Sequence, residues 1–212
     1  FDGDVALTAA DTGEAGVNHD GDLSTALGLV DAAADAGADV VKFQTFSADR
    51  LVTRTAAKAE YQKALGGFGE TQHAMLLRLE LSRADHEALI TRAHARGIEF
   101  LSTGFDEQSV DMLVDLGVRR LKVPSGEVTN LPYLRHVGRK GLPVIISTGM
   151  ADLEEVAAAI EVLEAAGTSR DSLIVLHCTT EYPALASDVN LQAMVTMAEA
   201  FAIRVGYSDH TL

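Results

Sequence analysis

Short, almost continuously apolar runs alternate along the chain with longer stretches in which Ala and Leu recur at helical spacing. The apolar runs are "ADVVKFQ" (38–44), "IEFLST" (98–103), "RRLKVPS" (119–125), "PVIIST" (143–148), "SLIVLHC" (172–178) and "AIRVGYSD" (202–209), with a weaker one before "GEAG" (13–16). Strands that are apolar at nearly every position are expected where a parallel sheet is covered on both faces. The intervening stretches carry helix start signals. Asp22 precedes "LSTALGLVDAAADAG", while Ser82 with Asp85 and Asp152 with Glu155 form capping patterns before two further amphipathic runs. Gly37, Gly97, Gly117, Gly141 and Gly167 fall where each helix should stop.

A repeated strand-then-helix unit predicts an α/β architecture, and seven strands favour a TIM (β/α)8-type barrel over a doubly wound sheet. Eight strands close such a barrel, so this chain is expected to lack the last one. Residues 1–212 are expected to form one catalytic barrel domain, incomplete at its C-terminus. One interval breaks the rhythm: residues 45–80 exceed an ordinary βα connection, and "GGFG" (66–69) predicts a mobile piece within it. Long βα loops of barrels commonly cover the active-site face.

Composition narrows the setting. Hydrophobic residues make up 47% of the 212 and charged residues 23%, ordinary for a globular chain. The net charge of −14 argues against a nucleic-acid or anionic-membrane surface, because both require Lys and Arg to replace counterions. No apolar run approaches the roughly 18 residues that span a bilayer. A single cysteine excludes an internal disulfide and suits a cytoplasmic setting. The chain begins with Phe1 rather than Met, so the natural N-terminus is expected upstream or removed.

Catalytic groups of parallel barrels sit where strands end and βα loops begin. Those positions hold Glu14, Lys42 and Gln44, Ser102 and Thr103, Lys122 with Ser125 and Glu127, Ser147 and Thr148, His177 and Thr179, and Ser208 with Asp209 and His210. Lys42 and Lys122 follow apolar residues on buried-looking strands, and a buried ammonium requires an anion. Two partners are open: a phosphate or carboxylate ligand, or a structural pairing with Glu14, Glu127 or another acid. The strand-end hydroxyls are open in the same way, as phosphate donors or as caps of the following helices. His73, His86, His94 and His136 fall in helical patterns and read as surface or packing residues, whereas His19 either reaches the site or shapes its turn. His177 and Cys178 are adjacent on a strand and point to opposite faces, which makes a poor nucleophilic pair and leaves Cys178 as a small core residue. His210, with Asp209 beside it, is the better metal-ligand candidate.

The segments "EAGVNHDGD" (14–22), "GADVVKFQTF" (37–46), "FLSTGFD" (100–106), "KVPSGEVTNLPYLRH" (122–136), "PVIISTGM" (143–150), "LHCTTEYPA" (176–184) and "VGYSDHTL" (205–212) resemble, in order, the sialic acid synthase family. The resemblance implies a TIM barrel that condenses phosphoenolpyruvate with N-acetylmannosamine or a related acylamino sugar. It implies a divalent metal, usually manganese, with magnesium or cobalt able to substitute. Lys42, Thr103, Lys122, Ser125, Ser147, Thr180 and Ser208 match positions that hold phosphoenolpyruvate. Gln44, Glu127 and Tyr182 match positions near the acceptor sugar, Glu14 matches an acid that handles protons, and His210 matches one metal ligand. Glu14, Lys42 and Lys122 are the expected catalytic set.

The same resemblance implies a cytoplasmic homodimer, completed by a second metal histidine and a C-terminal antifreeze-like domain beyond Leu212. Gly104 stands where the family usually has Pro, which would loosen that loop. Two alternatives accompany this expectation. One is another phosphoenolpyruvate–aldose condensing synthase; the other is a non-catalytic sugar- or anion-binding barrel.

Overall fold

The computed structural model describes residues 10–57 and 71–211. Seven strands form one sheet in chain order, every pair parallel: β1 (Thr12–Gly16), β2 (Val40–Thr45), β3 (Glu99–Gly104), β4 (Leu121–Val123), β5 (Val144–Ser147), β6 (Leu173–Cys178) and β7 (Arg204–Ser208). This is the sheet of a TIM-type barrel without a closing strand, with β1 and β7 as its two edges among the described residues. The helices are α1 (Leu23–Asp35), α2 (Ala48–Leu51), α3 (Gln72–Leu79), α4 (Arg83–Ala95), α5 (Glu107–Asp115), α6 (Leu131–Gly138), α7 (Leu153–Ala166) and α8 (Gln192–Phe201). β1 contains the "GEAG" stretch rather than preceding it, because its backbone pairs with Val40, Val41 and Lys42. Tertiary pairing overrides the weak propensity of that sequence. The unusual interval contains α2 and α3, while "GGFG" (66–69) lies outside the described residues.

Register assigns each strand residue to a face. Lys42, Gln44, Leu101, Thr103, Lys122, Ile145, Ser147, Leu176, Cys178 and Ser208 share the inner face by pairing and alternation. The outer parity holds Val41, Phe43, Phe100, Val123, Val144, Ile146, Leu173 and Val175, which pack with the helices into the main apolar core. Burying each such side chain stabilises the fold by about 1.5–3 kcal/mol. The expected capping boxes at Ser82–Asp85 and Asp152–Glu155 are both formed, and Asp22 caps α1. The five expected helix stops all take left-handed φ, between +65° and +131°.

The outer layer also contains a polar chain. His86 is fully buried; its Nδ1 donates to the Ser82 carbonyl at 2.8 Å, which leaves Nε2 to accept the Thr45 hydroxyl at 2.7 Å. Thr45 Oγ1 in turn lies 2.7 Å from Ser102 Oγ and accepts from it. The chain ties the ends of β2 and β3 to α4. His19 is buried over Phe43 and its Nδ1 accepts the Gly21 amide at 3.0 Å, so it shapes its turn. Burial lowers the affinity of both imidazoles for protons.

The folded state therefore binds fewer protons than the unfolded chain below the ordinary histidine value of 6.5, and stability is lost as pH falls through that value. Thr45→Val strands His86 Nε2 and the Ser102 hydroxyl and is expected to lower the unfolding free energy by about 1–3 kcal/mol. Urea titrations of both proteins at pH 7.5 and 5.5 measure the two effects; a flat pH response would remove the buried neutral imidazoles from the account.

Candidate active site

The inner face changes character along its length. Toward the C-terminal ends Leu101 gives way to Thr103 on β3 and Ile145 to Ser147 on β5, while Lys42, Gln44, Lys122 and Ser208 share that face. Thr103 pairs with both Gln44 and Lys122, so three predicted site residues lie side by side on β2, β3 and β4. A β-bulge between Glu14 and Gly16 breaks the β1 register. There the Glu14 carboxylate forms an ion pair with Lys42, and a Cβ added at Gly16 would lie 3.3 Å from Glu14 Oε1 and 3.7 Å from Gln44 Nε2. Glu14, Lys42 and Gln44 thus meet at one place.

The two lysines have different surroundings. Lys42 is paired with an acid; Lys122, only 6% exposed, donates to the Val123 carbonyl at 2.7 Å and has no carboxylate within salt-bridge distance among the described residues. Burial, followed by the nearby Lys42 charge, pushes the Lys122 ammonium down to about 7. The structural ion-pair explanation holds for Lys42 and fails for Lys122.

The hydroxyls follow a similar division. The helices after the strands are capped by Asp22, Asp106, Asn130 and Asp152, not by strand-end serines or threonines. The hydroxyls of Thr103, Ser125, Ser147 and Thr180 make no hydrogen bond to another described residue, although Thr103 is 2% and Ser147 7% exposed. Ser125 and Thr180 converge on Gly149 at the end of β5. Glu127 accepts from Asn130 Nδ2 at 2.6 Å at the start of α6. Gly104, expected to loosen its loop, is instead packed tightly. A Cβ there would lie 2.9 Å from Val110 Cγ2, and its carbonyl accepts the buried Tyr133 hydroxyl at 2.5 Å.

On the β6–β7 side, His210 Nδ1 donates to the Thr179 carbonyl at 2.5 Å, which leaves Nε2 with the lone pair, 3.3 Å from Ser208 Oγ. The Tyr182 ring lies over the imidazole at a centroid distance of 4.3 Å. Asp209 does not orient His210 as expected; it accepts from the Thr211 amide and the Tyr207 hydroxyl. A short side chain that closes its own turn cannot also reach the ring, and a backbone carbonyl does the orienting. His177 faces away from Cys178, with Nε2 on the Val189 carbonyl, as strand parity requires. No group of three His, Cys, Asp or Glu suited to a metal ion occurs among the described residues. His210 is one oriented donor, and one donor does not make a cation site.

Sequence reasoning missed Gly149. Cys178 is a small buried residue, as expected, and its thiol also accepts the Gly149 amide at 3.2 Å. A glycine directly after the polar end of "PVIIST" was the available signal, since a turn there demands unusual φ. A cavity of about 620 Å³ near Ile98, Phe100, Val118 and Arg119 shares no residue with this site.

A parallel α/β sheet of the TIM-barrel type with a buried lysine and unpartnered hydroxyls at its strand ends has the chemistry that could hold a small anion there. The chain is a member of the NeuB family, whose model matches residues 29–212. It is 56% identical over 209 residues to the N,N'-diacetyllegionaminic acid synthase of Legionella pneumophila, covering 98% of this chain and 59% of that protein. The Campylobacter jejuni protein of the same name is 50% identical, with 93% and 59% covered. Among solved structures, the N-acetylneuraminic acid synthetase of Leptospira borgpetersenii, in complex with citrate, superposes with a TM-score of 0.80 at 33% identity, covering 94% of this chain and 64% of that one. The chain thus spans about 59% of the length of those curated relatives. No described helix is long and apolar enough to cross a membrane.

The position of Lys122 gives a signed expectation. An uncharged Lys122 must gain a proton when an anion settles beside it, so binding of inorganic phosphate at pH 8 takes up as much as about one proton. Without an anion the lowered value also makes stability rise with pH between about 7 and 10.5. Calorimetry in buffers of different ionisation enthalpy reads the uptake directly, and equal heats in all buffers would contradict the assignment.

Proposed function

We propose that the intact protein condenses phosphoenolpyruvate with an acylamino sugar, giving a sialic-type nine-carbon acid and phosphate. The observation that carries this reading is Lys122, buried among the described residues without an acid and beside hydroxyls that have no hydrogen-bond partner there. Similarity to two N,N'-diacetyllegionaminic acid synthases favours a product of that type over N-acetylneuraminate, with N-acetylmannosamine as the competing acceptor. The proposal includes a homodimer in the cytoplasm.

In this reading Lys42 and Lys122 hold the carboxylate and phosphate of phosphoenolpyruvate, with Thr103, Ser125, Ser147, Thr180 and Ser208 donating to their oxygens. Fixed donors in a site that excludes water stabilise developing charge without reorganising. The enol carbon attacks the aldehyde carbon of the open-chain sugar, and the aldehyde oxygen takes a proton. Water then adds at C2, and the tetrahedral centre collapses to the ketone as phosphate leaves through C–O cleavage. Glu14, held on Lys42, is the acid–base group for the water and aldehyde protons. Gln44, Glu127 and Tyr182 line the acceptor side. A divalent cation, manganese with magnesium or cobalt as substitutes, would polarise the acceptor carbonyl when bound. His210 is the residue of this chain that would hold it.

Lys122→Ala is expected to lower kcat/KM for phosphoenolpyruvate by about 10²–10³ while leaving the melting temperature unchanged or raised. Phosphate release would be followed with each acceptor and with none. Release that ignores the sugar, or an unchanged Lys122→Ala enzyme, would refute the assignment. His210→Ala should weaken dependence on added manganese, read as a higher half-saturating metal concentration.

A further inference from the structure

The turn that follows β5 has a feature that neither the core nor the helices require. Gly149 adopts φ +52°, and a Cβ added there would lie 2.4 Å from Ser125 Cβ, 2.6 Å from Ser125 Oγ and 2.8 Å from Thr180 Cγ2. Real Cβ atoms do not approach other atoms so closely, so only glycine lets those two hydroxyl-bearing residues converge. The turn is fastened to β6 by three hydrogen bonds. The Thr148 amide and hydroxyl donate to the Leu176 carbonyl at 3.0 and 3.1 Å, and the Gly149 amide donates to Cys178 Sγ at 3.2 Å.

Cys178 pairs in register with Ser208 on the inner face and is buried, 4% exposed. Among the described residues its thiol's hydrogen bond is to this turn. Around it lie the independent signs of a ligand site: the unpartnered hydroxyls of Thr103 and Ser147, both more than nine-tenths buried. Both hydroxyls stay open to the inner face: among the described residues the fully sealed side-chain atoms without a partner are His19 Nε2 and Thr168 Oγ1.

We infer that Gly149 and Cys178 are positioning residues for anion binding: the glycine admits Ser125 and Thr180 to one side of the phosphoenolpyruvate phosphate, and the thiol fixes the turn that brings them there. This deepens the proposed function and rests on it for the identity of the ligand. Neither residue touches the ligand. Each acts through the hydroxyls, so the affected quantity is capture of phosphoenolpyruvate rather than capture of the sugar.

The test uses the intact protein and compares Cys178→Ser, which keeps an acceptor for the Gly149 amide, with Cys178→Ala, which removes it. Cys178→Ala is expected to raise KM for phosphoenolpyruvate by about three- to tenfold, with KM for the sugar and kcat within about twofold of the parent. Cys178→Ser is expected to restore most of the loss. Gly149→Ala, tested by direct calorimetric binding of phosphoenolpyruvate, is expected to weaken affinity by at least about tenfold. Equal KM values in the parent and Cys178→Ala would overturn the inference, and so would a Cys178→Ser protein as impaired as Cys178→Ala. A parent that binds phosphoenolpyruvate without sugar-dependent phosphate release defeats the proposed function alone, because the variants are still ranked by binding. A parent that does neither defeats both.

Discussion

Alternation along a strand sends neighbouring residues to opposite faces, and in this protein the apolar parity has gone outward to the helices. Val41, Phe43, Val123, Ile146 and Val175 bury themselves under the helical layer. The adjacent Lys42, Gln44, Lys122 and Ser147 are left to face inward, with Ser208 on the same face of β7. A shift of one residue in β2 or β4 would turn a lysine toward the helices and an apolar side chain toward the site. The strength of the core therefore also fixes the orientation of the polar groups. Stability and site geometry are two readings of the same parity.

Within that frame the two lysines occupy different electrostatic situations. Lys42 shares its charge with Glu14 across the bulge in β1, while Lys122 has only a carbonyl. An uncompensated buried charge is more expensive than a paired one, so its proton is held weakly near neutral pH. A ligand bearing negative charge reverses that cost. Affinity at such a site comes partly from relieving a penalty already present in the folded protein.

Much of this was legible in the sequence, for identifiable reasons. The strand runs at 98–103 and 143–148, the capping boxes at Ser82 and Asp152 and the stops at Gly97 and Gly167 are local signals, and local signals survive folding. The expected site residues also fall at strand ends, because position within a βα unit is itself local. What escaped was set by contacts between distant segments. Gly104 looked like a loose substitute for proline until α5 packed against it and Tyr133 reached its carbonyl. Asp209 looked like the partner of His210 until its own turn claimed it. Cys178 is buried as expected, but its bond to the Gly149 turn joins β6 to the end of β5, and no local pattern carries that contact.

The division of labour among polar residues has a consequence for how such a protein changes over generations. Helix starts are secured by Asp22, Asp106, Asn130 and Asp152, one step beyond the strand ends. The hydroxyls at the strand ends carry no such duty. Substitution at Thr103, Ser147 or Thr180 removes a hydroxyl without unpinning a helix. A lineage can therefore vary the polar strand ends while its scaffold stays intact.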